Sequence, residues 1–261
     1  ILSLDDNLSE LLPELEFENN HLIKVENLLN HTSDLLGYFN DDYDFQDFVL
    51  DNPENVYLPE ELVLKAVSLH TPQPENISQN FHYCNTNYVL LGMIIEKYSG
   101  KSFSEYLVEN ICQPLNLSLT QSADLTADIF KMSKGYSFLD NQILSYDYNH
   151  SFLFSAGNIV SNTSDLVKFV YNLFHGNVIS LNTISEMLPP ENSIYGLGIA
   201  DFTGLGKGHN GMTLGFTTIL IYNEQYDVSI AVLTNCLSGS VDPQGIAEQA
   251  LDLFIGKQHK E

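Results

Sequence analysis

Residues 81–100 read FHYCNTNYVLLGMIIEKYSG and carry the clearest structural signal in this chain of 261 residues. Apolar side chains recur there at three- and four-residue spacing, which predicts an amphipathic helix with Asn85 as its N-cap. Gly100 is the residue type that ends helices in a left-handed conformation. We therefore expect a helix with one buried face from Asn85 to Gly100.

Further helices are predicted on both sides of this segment. A second helix runs from Ser102 to the break at Pro114, and another covers Thr163–Phe174. On the N-terminal side, Leu22–Leu36 predicts a short helix that leads into a loop. The acidic, proline-dotted stretch 34–81 predicts cleft-lining loops with a single helix near residues 59–68.

The pattern changes after Pro190, where Ile194–Ile199 begins a strand-like stretch. Phe216–Tyr222 and Val228–Thr234 are rich in β-branched and aromatic residues and predict an antiparallel hairpin. Pro243 then takes the first position of a closing helix. The order predicts an α+β fold.

The predicted domain organisation is a single domain over residues 1–261 with two lobes. Residues 1–188 form a mostly helical lobe, and residues 189–261 form a lobe of sheet and helix. A chain of this length and of 44% hydrophobic composition can bury one substantial core. No apolar run is long enough for a membrane helix.

Charge restricts the partners of the protein. The formal net charge is −24, and all 10 basic residues are lysines. A surface of this sign repels phosphate backbones and anionic lipids, so no nucleic acid or membrane partner is predicted. The acidic run 40–44 reads as a solvated loop. Without arginine, which binds carboxylates through two hydrogen bonds, a free terminal carboxylate would be held weakly.

Cysteine and histidine patterns give no support to metal chemistry. The 3 cysteines are widely spaced, and the 8 histidines form no H-E-x-x-H pattern. We predict no cofactor, no zinc site and no disulfide framework. The sequence does not indicate an oligomeric state.

Two short motifs carry polar side chains at positions where another group could approach the backbone closely. Tyr83-Cys84-Asn85 precedes the main helix, and His209-Asn210-Gly211 begins the first hairpin strand. Taken singly, the first is compatible with an ordinary helix cap and the second with a glycine-rich turn. The two motifs occur together, and this, with the sequence around each of them, favours a functional interpretation.

The text around both motifs resembles, in order and spacing, the penicillin-recognising serine hydrolases close to class C β-lactamases. The blocks that carry the resemblance are Leu28-Leu29-Asn30-His31-Thr32-Ser33, the segment from Phe81 to Gly92, Pro114-Leu115-Asn116-Leu117, Ser155-Ala156-Gly157-Asn158-Ile159-Val160-Ser161, Gly208-His209-Asn210-Gly211 and Leu233-Thr234-Asn235. The resemblance covers nearly the whole chain and implies an antiparallel sheet flanked by helices plus a helical lobe.

That family transfers acyl groups through a serine ester, using the elements S-x-x-K, Y-x-N and K-T-G or H-x-G. The resemblance implies that Tyr83 and His209 are catalytic, Tyr83 as a phenolic proton relay that His209 steadies. It implies that Asn85 hydrogen-bonds either the acyl amide of the substrate or the lysine of S-x-x-K, and that Gly211 lets the substrate lie against the strand. The backbone N–H of Met212 would be one of the oxyanion-hole donors.

The S-x-x-K element is not found. None of the serines in the 261 residues is followed by lysine three positions later. By the resemblance, that element and the first sheet strands lie before Ile1, so we expect an N-terminally truncated domain that is inactive as it stands. Cys84 as a substitute nucleophile, and His31, His82 and His175 as catalytic groups, are less favoured than structural roles.

The expected function is that of a serine hydrolase acting on a small-molecule or peptide amide or ester, similar to a D-alanyl-D-alanine carboxypeptidase or an esterase. The alternative is a catalytically inactive relative that keeps the cleft for binding or scaffolding. Labelling by a fluorescent penicillin or fluorophosphonate would discriminate between them. The family is mostly exported, which favours a secreted, periplasmic or cell-envelope location.

Overall fold

The computed structural model describes residues 2–69, 77–78, 80–123, 132–139, 142–146, 148–239 and 241–258. The helices are α1 (Leu8–Leu11), α2 (Val25–Leu29), α3 (Tyr43–Asp51), α4 (Pro59–Leu69), α5 (Asn85–Ser99), α6 (Phe103–Leu107), α7 (Gln113–Leu115), α8 (Thr163–Phe174), α9 (Leu181–Met187) and α10 (Pro243–Gln258). The strands are β1 (Gln121–Ser122), β2 (Gly135–Leu139), β3 (Gln142–Tyr146), β4 (Ile159–Val160), β5 (Ala200–Phe202), β6 (Gly206–Thr213), β7 (Phe216–Asn223), β8 (Val228–Thr234) and β9 (Cys236–Leu237).

The chain forms two compact units. One comprises Ile1–Val108, Ser122–Ala127 and Tyr148–Ile159, and the other comprises Glu109–Gln121, Asp128–Asp147 and Val160–Glu261. These boundaries do not coincide with a division at residue 188. Helices α8 and α9 share a hydrophobic cluster with Tyr222 of β7, which explains why they belong to the unit that contains the sheet.

In the first unit, α5 is the predicted helix, and its C-terminus is Gly100 at φ 69°. Val89, Leu90 and Ile94 are buried along its inner face. The prediction of Asn85 as N-cap is wrong, because Cys84 occupies that position in an extended conformation and Asn85 is the first helical residue. The shift of one residue frees the Asn85 side chain for other contacts.

Helix α3 contradicts the prediction of loops between residues 34 and 81. Phe45 and Val49 bury one face of this helix, and Asp42 accepts a hydrogen bond from the Phe45 N–H as its N-cap. The carboxylate of Asp42 is itself buried and lies 2.8 Å from Lys65 Nζ on α4. At this position the acidic run is therefore structural. Residues 70–76 and 79 of the stretch 34–81 lie outside the described residues.

The predicted continuous helix from Ser102 to Pro114 is interrupted. Ser102 caps α6, a π-helical turn covers Val108–Cys112, and α7 carries Pro114 near its start. The backbone stays helical at Val108 and Cys112, so the interruption is a change to π-helical hydrogen bonding just before Pro114, which lacks the N–H of a regular helix interior. The predicted helices Thr163–Phe174 and the one opening at Pro243 are confirmed.

In the second unit, β5, β6, β7 and β8 form an antiparallel sheet in that order. The predicted hairpin is confirmed as β7 and β8, with Ile221 paired to Ile230. The predicted strand at Ile194–Ile199 is wrong. Only Tyr195 makes a bridge, to Ala200, and Gly198 at φ 81° turns the chain before β5 begins.

Strand β7 lies between two helical layers. Ile219 and Ile221 belong to a cluster with Ala247 and Leu251 of α10. Tyr222 points to the opposite face, where it stacks on Phe174 of α8 at 4.7 Å between ring centroids. Side chains alternate across a strand, so one strand buries its apolar residues against both layers. Antiparallel sheets with flanking helices confirm the predicted α+β fold class.

Candidate active site

Tyr83 and Asn85, two of the predicted site residues, flank the start of α5 in the first unit. The Tyr83 side chain is 38% exposed, and its ring lies 4.3 Å from the ring of His31 between centroids. Asn85 donates from Nδ2 to Asn40 Oδ1 at 3.0 Å. The phenol and the amide thus lie within one turn of chain at a helix N-terminus.

The phenol of Tyr83 is a weaker acid than usual in this setting. Burial raises its pKa above the ordinary value near 10, and the neighbouring Cys84 raises it further. Among the described residues of this unit, no cation contributes to that shift. Tyr83 is therefore a neutral hydroxyl at pH 7, and it would need a nearby positive charge to act as a proton acceptor.

Cys84, between the two, is fully buried. Its N–H donates to His31 Nδ1 at 3.1 Å, and burial raises the pKa of its thiol to about 11. The thiolate is the nucleophilic form of cysteine, and at neutral pH it is nearly absent here. The geometry gives Cys84 a packing role.

Two further contacts lie near Tyr83 and Asn85. His82 Nε2 lies 3.0 Å from Asp41 Oδ2, which also accepts from the Gly37 N–H. On the other face of α5, Ser155 donates from Oγ to the Tyr88 carbonyl at 2.7 Å, next to Gly92. The loop before α5 and the first turns of the helix are thus tied to their neighbours by polar contacts.

His209, Gly211 and Met212, the other predicted site residues, lie together on β6 in the second unit. His209 Nε2 lies 2.9 Å from the Tyr195 hydroxyl, with the two rings nearly perpendicular at 87°. Its Nδ1 contacts the Asn210 carbonyl. A carbonyl oxygen can only accept, so Nδ1 carries a proton, and in the neutral ring Nε2 accepts from the Tyr195 O–H.

Burial lowers the pKa of His209, and the hydrogen bond to the Asn210 carbonyl opposes that shift in part. The imidazole is therefore neutral at pH 7. By the family resemblance His209 was expected to steady the phenol of Tyr83. Within this unit, the phenol that His209 contacts is that of Tyr195.

Sequence reasoning missed Tyr195. It is buried, and its backbone bridges to Ala200, which pairs in turn with Gly208, the neighbour of His209. The only available signal was an aromatic residue before the turn Gly196-Leu197-Gly198, and that turn was interpreted as a strand. The contact between Tyr195 and His209 depends on two successive strand pairings, and such a contact leaves no local pattern in the sequence.

Gly211 and Met212 lie where β6 extends beyond its neighbour. Among residues 148–239, β5 pairs with β6 only at residues 206–208, so residues 209–213 pair with β7 alone. A Cβ on Gly211 would come within 2.7 Å of Thr218 Oγ1, and the Met212 side chain is 76% exposed. This stretch is an open strand edge to which an extended substrate could add.

A further cavity lies apart from the predicted site residues. A pocket of about 500 Å³ in the second unit is lined by Tyr136, Asn235 and Cys236 among others, and it includes none of the predicted site residues. In the described part of the chain, no group of three or more His, Cys, Asp or Glu side chains could hold a metal ion. Within the same residues, no helix has the length and apolar character needed to cross a membrane.

A tyrosine and an amide at the start of a buried helix, followed along the chain by a histidine and a glycine on an antiparallel strand, define the penicillin-recognising class of serine hydrolases. Comparison with known proteins agrees. The family model described as Beta-lactamase matches residues 1–253, and the chain belongs to that family.

Two curated relatives and one solved structure illustrate the similarity. A penicillin-binding protein of Bacillus subtilis (strain 168) is 24% identical over 99% of this chain and 61% of its own length. A teichoic acid D-alanine hydrolase of Staphylococcus aureus is 24% identical over 88% of this chain and 55% of its own length. The crystal structure of a D-stereospecific amidohydrolase from Streptomyces sp. is 26% identical, with a TM-score of 0.78 over 90% of this chain and 75% of that one. The chain thus spans less than two thirds of the curated relatives' length.

Proposed function

We propose that these residues belong to a serine hydrolase that cleaves an amide or ester bond through an acyl-serine intermediate. The observation that carries the proposal is the pair of half-sites, Tyr83-x-Asn85 at the start of α5 and His209-x-Gly211 on the open edge of β6. Neither half contains a nucleophile, and the proposed serine and lysine of the S-x-x-K element are not among the 261 residues.

The proposed chemistry is acyl transfer in two steps. The serine oxygen attacks the substrate carbonyl, its proton passes through Tyr83 to the leaving amine or alcohol, and water then cleaves the ester. The lysine of S-x-x-K would supply the positive charge that lets the neutral Tyr83 phenol act as a relay. Asn85 would bind the acyl amide, and the N–H of Met212 would donate to the developing oxyanion.

Electrostatics narrows the proposed substrates. The net charge of −24 and the lack of arginine disfavour a substrate with a free carboxylate. The negative net charge of the chain favours a substrate whose acyl group carries a free ammonium. Since relatives are named as a teichoic acid D-alanine hydrolase and a D-stereospecific amidohydrolase, we propose D-aminoacyl esters or amides as the substrate class.

The test is covalent labelling by a fluorescent penicillin and a fluorophosphonate. The 261-residue chain should remain unlabelled, and an N-terminally extended chain that carries an S-x-x-K element should be labelled. Tyr83→Phe should slow labelling by about 10²- to 10⁴-fold, because the phenolic O–H is the proton relay. Tyr98→Phe, at an exposed tyrosine near the C-terminus of α5, is the matched control and should label at the wild-type rate.

Two results would contradict the proposal. Labelling of the 261-residue chain would mean that it holds another nucleophile. If neither probe labelled an extended chain that carries S-x-x-K, the result would favour the alternative, a catalytically inactive relative that keeps the cleft for binding.

A further inference from the structure

His31 is a buried histidine that contacts the backbone before and after Tyr83 as well as the Tyr83 ring. It is 1% exposed, follows α2 and has a left-handed backbone at φ 59°. Its carbonyl accepts from the His82 N–H at 2.9 Å, and its Nδ1 accepts from the Cys84 N–H at 3.1 Å. The two backbone amides that flank Tyr83 are thus both bound by one residue.

The orientation of the His31 ring is determined by its donors. A backbone N–H can only donate, so Nδ1 carries no proton and the ring proton is on Nε2. Asn87 Nδ2 lies 3.3 Å from the same nitrogen, and Asn87 Oδ1 accepts from Ser33 Oγ at 2.6 Å. Both Asn87 and Ser33 are buried, so the first turn of α5 and the loop after α2 share this network.

The face of the oriented ring supports the Tyr83 side chain. The centroids of the His31 and Tyr83 rings are 4.3 Å apart, with 39° between the ring planes. Tyr88, one turn further along α5, packs against the same imidazole at 5.2 Å. Buried aromatic contacts of this kind restrict where a ring can lie.

We propose that His31 is a positioning residue for Tyr83, which holds the phenol through its ring and holds the flanking backbone through Nδ1 and the carbonyl. The proposal rests on the proposed role of Tyr83 in acyl transfer. A displacement of a catalytic group by about 1 Å can cost about 10²-fold in rate, so a residue that touches no substrate can control turnover.

Two substitutions separate the two contacts. His31→Phe keeps an aromatic ring but removes the Nδ1 acceptor, and His31→Asn places an acceptor near the Nδ1 position but removes the ring. In the 261-residue chain, the ¹³Cζ resonance of Tyr83, assigned by its loss in Tyr83→Phe, should shift in both variants. His175→Phe replaces a histidine in the other unit and should leave this resonance unchanged.

Kinetics of an N-terminally extended chain that carries the proposed S-x-x-K element provide the second readout. Both His31 variants should lower kcat for a D-aminoacyl ester by about 10- to 100-fold with little change in KM. Because the resonance is measured without activity, an inactive wild-type protein would contradict the proposed function but leave the positioning test intact. An unchanged Tyr83 resonance in both folded variants would overturn the proposal and leave His31 as a packing residue only.

Discussion

At the scale of single residues, His209 shows how burial sets a protonation state. Its Nε2 accepts from Tyr195 and its Nδ1 donates to the Asn210 carbonyl, so the neutral ring has both nitrogens engaged. Burial lowers its pKa below the ordinary value. The ordinary pKa of histidine is near 6.5. Just below that pH the unfolded chain therefore binds more protons than the folded one.

The sign of the resulting pH dependence follows from that difference. Where the unfolded state binds more protons, the free energy of unfolding rises with pH. The contribution of His209 is therefore full above about pH 6.5 and is lost as the pH falls towards its lowered folded pKa. In urea titrations between pH 5 and pH 8, wild type should lose stability relative to His209→Gln as the pH falls. A constant difference between the two proteins would contradict this expectation.

At the scale of secondary structure, Gly92 determines how closely α5 approaches the turn Phe154–Ala156. A Cβ on Gly92 would lie 2.0 Å from Ser155 Oγ and 2.8 Å from a ring carbon of Phe154. Gly92→Ala should gain about 1 kcal/mol of helix propensity but lose about 1–3 kcal/mol to overpacking. We expect a net loss of up to about 2 kcal/mol in the free energy of unfolding, measured by denaturant titration.

The same substitution elsewhere provides a control for this prediction. Gly256 lies in α10, and a Cβ there would meet no atom within 4 Å. Gly256→Ala should therefore stabilise by about 0.5–1 kcal/mol. Ser155→Gly should recover part of the loss in a Gly92→Ala background. If Gly92→Ala stabilised the protein as Gly256→Ala does, the close approach would not be a constraint.

At the scale of the whole molecule, charge is the dominant feature. A formal net charge of −24 over 261 residues makes the folded chain repel itself, apart from local pairs such as Lys65 with Asp42. Salt shortens the range of this repulsion to about 10 Å at 0.1 M. Stability should therefore depend on ionic strength more than it does in a protein of balanced charge.

The prediction is a Tm that increases with NaCl at pH 7. Relief of repulsion on the order of 1 kcal/mol would raise Tm by about 2–4 °C for a chain of this size. Calorimetry at 0.02 M and 0.5 M NaCl measures the shift, and KCl should give the same result. Near pH 4, where carboxylates lose their charge, the shift should largely disappear. A Tm that falls with salt at pH 7 would contradict the role assigned to repulsion.

The sequence by itself determined the features that depend on near neighbours. Helices α5 and α8 and the hairpin of β7 and β8 follow from side-chain period, caps and turn residues that act within about four positions. The family resemblance rests on short motifs, Tyr83-x-Asn85 and His209-x-Gly211 among them, that occur in one order along the chain, and the family model confirms it. These parts of the fold and the family were therefore predictable, whereas the roles of the site residues stay predictions.

Only the tertiary structure decided which side chains support those motifs. His31 contacts Tyr83 and Tyr195 contacts His209 across gaps in sequence that no periodicity spans. Helix α3 was missed because Asp42, its N-cap, was interpreted as part of a solvated acidic run, whereas the carboxylate is buried beside Lys65 of α4. Local propensity reports the conformation of a segment, whereas burial and hydrogen bonding at a site are set by residues that folding brings together from distant parts of the chain.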